Sequence, residues 1–294
     1  MGNKKIVTHN GKFHADDVFA VATLLLKLGD CTVVRSRDVS VINSADYVVD
    51  VGFLYNPSQN KFDHHQEGGA GVRQNGIPYA SFGLVWKKYG EELSGSKEIA
   101  DTIENKLVMF VDALDNGVDV SKSVFEDVRA YTISDYLYSY WIDESVPEDE
   151  VDRVFKRVVA LAKNLLEREI AKNKKIEEEG KLVEDIYNKT EDKRIIILDR
   201  NYAWGKKLVE KEEPLIVVYP SISGESWYAK VVRKNLNTFD TRVLFPVSWS
   251  AKTGKELADV SGVEDALFCH KALFLATARS KEGAIALAMK ALQG

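Results

Sequence analysis

Over its first 120 residues the chain alternates between β-branched runs of strand length and segments carrying apolar residues at helical spacing. Lys5-Ile6-Val7-Thr8-His9 is a short apolar run ending in polar residues, and Ala15 to Leu28 has a helical period and stops at Gly29-Asp30. Thr32-Val33-Val34 and Tyr47-Val48-Val49-Asp50-Val51 read as strands. Pro78 to Tyr89 and Glu98 to Leu114 read as helices, the second closed by Asn116-Gly117. Strands alternating with helices imply βαβ units and a mainly parallel sheet, whose ligand site lies at the carboxyl ends of the strands.

At 294 residues the chain is long enough for two domains. From Phe125 to about Thr190 it reads as mostly helical, and its later part, from Lys172 to Gly180, is densely charged, as suits a solvated connecting helix. A second apolar pattern begins at Arg194-Ile195-Ile196-Ile197-Leu198-Asp199. It continues through Leu215 to Tyr219 and Trp227 to Val232, and closes with a helix from Gly283 to Leu292. The expected fold is therefore α/β: a mainly parallel sheet domain with flanking helices at 1–125, a helical connector at 126–190 and a smaller mixed α/β domain at 191–294.

Composition narrows the class. The chain is 45% hydrophobic and 29% charged, as in globular proteins, and Cys31 and Cys269 read as two free thiols. No apolar run approaches the roughly 18–20 residues of a membrane span, and the first residues lack the apolar core of a signal peptide. A cytoplasmic enzyme is expected. The net charge of −5 argues against a basic nucleic-acid coat while leaving room for a local basic groove.

Chemistry is concentrated in the histidines. Of five, His9 and His14 flank the first strand-to-helix turn, His64 and His65 stand together after Asp63, and His270 is alone. The two clusters also hold carboxylates, among them Asp16, Asp17 and Asp63. Imidazole with carboxylate is the ligand set of zinc, manganese or iron, and richness in carboxylate leans toward manganese. Asp50 ends an apolar strand, where an unpaired carboxylate is costly to desolvate unless a cation meets it. Asp112 and Asp115 lie three apart in the last turn of a helix, against its dipole, and need a compensating charge. In the second half, cationic residues with aromatic neighbours suit a phosphate backbone and stacked bases: Lys230, Arg233, Arg242 near Phe239, and His270 followed by Arg279 and Lys281. The Gly-rich stretch from Glu67 to Arg73 reads as a mobile loop and lacks the context of a P-loop.

His9, His14-x-Asp16, Asp50, Asp63-His64-His65 and Asp115 resemble the motifs of the DHH phosphoesterase superfamily. Thr-His-Asn-Gly-x-Phe-His-x-Asp, Phe-Asp-His-His-Gln and Val-Asp-Ala-Leu-Asp-Asn-Gly are most similar to its melanocyte-proliferating-gene exonuclease branch. That similarity extends to Ser248-Trp249, Ser261-Gly262-Val263, Phe268-x-His270 and Glu282-Gly283-Ala284. The resemblance implies two divalent ions, most simply Mn2+ with Mg2+ or Zn2+ as alternatives, bridged by Asp50. His9 and His14 would serve one ion, and Asp16, His64 and Asp115 the other, with Asp112 the alternative to Asp115. His65 would face the bridging oxygen or the phosphate, and Asp63 would orient a histidine ring. Where the superfamily places Asp-x-Asp, this chain has His14-x-Asp16. The second domain, with Lys230, Arg233, Arg242, His270, Arg279 and Lys281, would grip the substrate.

The expected activity is two-metal phosphodiester hydrolysis, a 3′–5′ exonuclease acting on RNA or short oligonucleotides with no membrane partner. The oligomeric state stays open, a homodimer included. The alternatives are a small-molecule phosphohydrolase, namely a pyrophosphatase or nucleotide phosphatase, and a non-catalytic metal-binding protein.

Overall fold

The computed structural model describes residues 3–141 and 146–293, in two compact units, Met1–Lys174 and Lys175–Gly294. In the first, β1 (Lys5–Thr8) is followed by α1 (Ala15–Leu28), β2 (Thr32–Arg35), the short α2 (Val39–Asn43), β3 (Tyr47–Val49), β4 (Tyr55–Asn56) and β5 (Lys61–Phe62). The sheet order is β2-β1-β3-β5-β4, and all neighbours are parallel except β4 with β5. The mainly parallel sheet expected from the alternation is present. Ile6, Val49 and Phe62 point from one face into the main core, while Val7 and Val48 point from the other toward Val41 and Ile42 of α2.

Helices α1 and α3 (Ser81–Ser94) pack on the sheet, and α4 (Lys97–Ile103), a π turn at Glu104–Val108 and α5 (Met109–Asp115) pack in turn against these helices. The helix read over Glu98–Leu114 is present, with the π turn inside it. The segment read as mostly helical from Phe125 is irregular to Tyr131; helix resumes as α6 (Ile133–Tyr138) and α7 (Glu148–Lys189). The apolar residues there, Val124, Phe125, Val128 and Tyr131, are exposed and leave no buried stripe to hold a helix.

Spacing explains the length of α7. Phe155, Val158, Val159, Ala162, Leu166 and Ile170 recur at helical period and enter the core of the first unit. Val183 and Tyr187 enter a core of the second. That unit adds β6 (Ile195–Ile197), α8 (Gly205–Val209), β7 (Ile216–Pro220), β8 (Trp227–Val231), α9 (Gly254–Ser261), β9 (Ala266–Cys269), β10 (Leu275–Ala278) and α10 (Lys281–Ala291). Its sheet runs β6-β7-β8-β10-β9, parallel only between β6 and β7. Both faces are apolar where helices cover them, as period-two alternation in β7 dictates: Ile216 and Val218 to one side, Val217 and Tyr219 to the other. Cys31 and Cys269 are both free. No described helix is long and apolar enough to cross a membrane.

Candidate metal centre

Three parallel strands of the first sheet end in site residues. His9 follows β1, Asp50 follows β3, and Asp63, His64 and His65 follow β5. α1 brings His14 as its N-cap and Asp16 and Asp17 in its first turn, and α5 brings Asp115 at its end. His9, Asp16, Asp17, Asp50, Asp63, His64 and Asp112 are buried.

The side chains converge. His9 Nε2 lies 3.2 Å from Asp17 Oδ2 and 3.3 Å from Asp50 Oδ2. His64 Nε2 lies 3.1 Å from Asp115 Oδ2, 3.3 Å from Asp50 Oδ1 and 3.8 Å from Asp16 Oδ2. Ligand atoms of His9, His14 and Asp50 come within 4.8 Å of one another, as do those of Asp50, His64 and His65, and those of His14, Asp16 and Asp115. Asp50 and His14 each belong to two of these groups. The grouping differs from the division implied by the resemblance, because Asp16 and Asp115 gather with His14, and His64 gathers with His65.

The donor set fits a cation. His9 Nε2, both oxygens of Asp16, Asp17 Oδ2 and His64 Nε2 are buried without an aligned hydrogen-bond partner. His9 donates from Nδ1 to the Asn10 carbonyl at 3.0 Å, so the neutral ring presents its Nε2 lone pair to two carboxylates. Lone pair facing carboxylate is repulsive unless a proton or a metal ion lies between. Burial lowers the pKa of His9, yet Asp17 and Asp50 overcome it and hold the ring at about 10. Burial likewise lowers His64, and Asp115 and Asp50 return it to about 10. Burial, then Asp50 and Asp115, drives Asp16 well above the ordinary carboxylate range. Asp50 is held far below that range because His64 and His9 outweigh its burial. Burial, then Asp115 and Asp16, pushes the nearby Tyr138 hydroxyl to about 12.

The last two carboxylates have other partners. Asp63 accepts from the His65 amide at 3.1 Å and from His65 Nδ1 at 2.8 Å, and this with the Phe53 amide keeps it below the usual range despite burial. The His65 side chain is 49% exposed. Asp112 turns from the centre: it accepts from the Gly83 amide at 2.9 Å and from Arg73 at 2.7 Å, while burial raises it to about 7 against that arginine. Arg73 also roots the Gly-rich stretch, by bonds to Glu104 and the Pro78 carbonyl, so at this residue the loop read as mobile is anchored.

The sequence places Asp17 in the first cluster without a role beside His9, and gives no sign of Ser81. His14-x-x-Asp17 has helix-capping spacing, and Asp17 Oδ1 does accept the His14 amide at 2.9 Å; its other oxygen faces His9. Ser81, whose hydroxyl donates to Asp50 Oδ1 at 2.9 Å, had no signal in a single sequence.

Five of the six candidate substrate contacts of the second unit lie at the two ends of β10. His270 follows β9, and its amide donates to the Leu275 carbonyl at the start of β10. Leu275 pairs with Lys230, and Arg233 lies beyond β8, 4.6 Å from the exposed Phe239 ring. Burial, then Arg233, lowers Lys230, whose ammonium sits 5.9 Å from the Trp204 ring. His270 accepts the Ala272 amide at Nδ1. Arg279 and Lys281 are at the far end of β10, where Lys281 lies over Trp227 at 5.7 Å. A four-residue strand spans roughly 13 Å. Arg242 donates to the carbonyls of Val209, Glu212 and Pro214.

The chain is a two-unit α/β protein whose buried imidazole–carboxylate cluster, at the carboxyl ends of parallel strands, could hold a metal ion. The chain belongs to the MYG1 exonuclease family, described as "Uncharacterised protein family (UPF0160)", whose match covers residues 5–292. It is similar to an MYG1 protein of Chlamydia pneumoniae, 32% identical over 95% of this chain and 93% of the other. An MYG1 protein of Dictyostelium discoideum is 30% identical over 99% of this chain and 97% of the other. The mouse MYG1 exonuclease is 28% identical over 99% of this chain and 86% of its own. No solved structure matches.

Proposed function

We propose that the protein is a metal-dependent exonuclease of DHH phosphoesterase type, hydrolysing RNA or short oligonucleotides in the 3′–5′ direction. The reading is carried by one observation: five buried nitrogen and oxygen atoms of His9, Asp16, Asp17 and His64 lack hydrogen-bond partners and converge around Asp50. Buried polar groups left unpaired are expensive, and buried carboxylates more so, unless a cation completes them. The names of the mammalian relatives support nuclease activity.

His9, His14, Asp16, Asp50, His64 and Asp115 would hold two divalent ions, Mn2+ best matching so many carboxylates, with Asp17 an added carboxylate beside His9. Such ions, when bound, lower the pKa of water and neutralise a leaving oxygen. Asp50 directs Oδ2 toward His9 and Oδ1 toward His64, the arrangement a shared ligand needs. Asp63 accepts a hydrogen bond from Nδ1–H of His65, which leaves Nε2 of this half-exposed ring to accept or return a proton at the substrate. Lys230, Arg233 and His270 form one set of substrate contacts and Arg279 and Lys281 another; the three carbonyls on Arg242 make it the least available of the six.

The test is a panel of end-labelled RNA oligonucleotide, dinucleotide and pyrophosphate, each with Mn2+ and with chelator. Shortening of the RNA from its 3′ end, abolished by chelator, is expected. Hydrolysis of pyrophosphate alone would replace this reading with the small-molecule one.

A further inference from the structure

Asp50 is held in an unusual way. Its φ is +55°, a left-handed conformation that non-glycine residues rarely adopt, and its amide donates to the Phe62 carbonyl at 3.1 Å. The backbone is therefore fixed, but the terminal torsion of an aspartate is broad and two-fold, so the backbone does not set which way the carboxylate plane faces. Its neighbours are His9 on Oδ2 and His64 and His65 on Oδ1. Each is an imidazole, and an imidazole that turns its lone pair to an ion no longer donates a hydrogen bond from that nitrogen. Ser81 is different: its hydroxyl donates to Asp50 Oδ1 at 2.9 Å, and that donor survives any change in the rings.

Ser81 is itself braced from behind. It is the first residue of α3, a helix whose N-cap, Ala80, has no side chain able to cap. Asp112 of α5 substitutes, accepting the Gly83 amide on Oδ1 while Oδ2 takes Arg73. A Cβ at Gly83 would fall 1.8 Å from Asp112 Oδ2 and 2.5 Å from the Arg73 guanidinium, so this approach needs glycine there. Ser81, Asp112 and Arg73 are all buried or nearly so, and Glu104 in the π turn completes the set by binding Arg73.

We propose that Ser81 is a positioning residue for the metal centre: its hydroxyl fixes the plane of Asp50 so that each carboxylate oxygen faces a different set of histidines, and the Asp112–Arg73 pair sets Ser81 by clamping the first turn of α3. This rests on the reading of Asp50 as a shared ligand. Donors that orient ligating carboxylates are worth about 10–100-fold in metal affinity.

The experiment is calorimetric titration of the metal-free full-length protein with Mn2+ alone, for wild type, Ser81→Ala and Ser81→Cys. Alanine is the better helix former and fills nearly the same volume, so metal-free Ser81→Ala should unfold within about 3 °C of wild type. Its Mn2+ affinity should fall about 10–100-fold, and the weak thiol donor of Ser81→Cys should give a smaller loss. Should the alanine variant not fold, the cysteine variant carries the test by the same titration. Affinity within about twofold of wild type in a folded Ser81→Ala protein, where a donor orienting a ligand predicts at least tenfold, overturns the role of Ser81 and leaves the metal reading intact. A wild-type protein that binds no Mn2+ overturns the metal reading and this inference with it.

Discussion

The two five-stranded sheets place their ionisable residues in opposite ways. The first buries Asp50, Asp63, His9 and His64 at its strand ends beside Asp16 and Asp17 in the first turn of α1, several of their atoms unpartnered. The second keeps Lys230, Arg233, Arg279 and Lys281 half-buried or exposed, three of them beside aromatic rings. Buried unpaired charge is unfavourable and persists where something binds it; cations at a surface are cheap and common. The difference teaches where evidence for function is strong. The first cluster has the donors to hold a cation, whereas the second offers contacts that any polyanion would share.

The comparison breaks most sharply at Asp50. Asp50→Asn keeps shape but removes the charge that faces both His9 and His64. A rate loss of about a thousandfold, on the order of 4 kcal/mol, is expected with folding intact, measured as kcat/KM at saturating Mn2+. Retention of roughly a tenth of the activity would show that Asp50 is not shared between two ions.

Much of this centre was legible because strand ends are legible. β-branched runs located β1 and β3, the histidine pairs marked the loops after β1 and β5, and the parallel order brings those loops together. The contact of Asp17 with His9 and the part of Ser81 were not, for different reasons. Asp17 satisfies the capping rule with one oxygen, and that local account hid the other. Ser81 acts across 31 residues of sequence, and no periodicity reports such a contact. β4, β5, β9 and β10 are two to four residues long, too short for alternation to register. Asp112 and Asp115 looked equivalent on one helix end, and only packing against Arg73 and Gly83 separates them.

In the second unit the expected effects are smaller. His270→Ala and Arg279→Ala should leave Mn2+ content unchanged and weaken cleavage of long oligonucleotides about tenfold, less at high salt and least on pyrophosphate. Because the two residues occupy opposite ends of β10, their losses should add when combined. Equal losses on the longest and smallest substrates would place them in the chemistry, and no loss on any would favour the small-molecule activity.

Metal addition tests the first unit without reference to substrate. Two ions per chain are expected by elemental analysis, and Mn2+ at about a hundred times its Kd should stabilise the fold by roughly 2.7 kcal/mol per site. Saturation at one ion or none would sink the two-ion mechanism.

The smallest expected effect is a change of slope with pH. His9 and His64 have folded pKa values of about 10, above the 6.5 of an unconstrained ring. A group whose pKa is raised by folding contributes stability that is fully present below its unfolded value and is lost as pH rises through the folded one. Asp16, also raised, contributes in the same direction, and Asp50, lowered, acts only in the acid range. The metal-free protein should therefore lose stability between about pH 7 and pH 10. Mn2+ takes the place of those protons, so the loss should flatten when the ion is present, and binding should release protons, measurable by calorimetry at pH 7.5 in buffers of different ionisation enthalpy. A denaturation midpoint with the same pH slope in both states would mean that ions and ring protons do not compete, and the cation site would have to be sought away from His9 and His64.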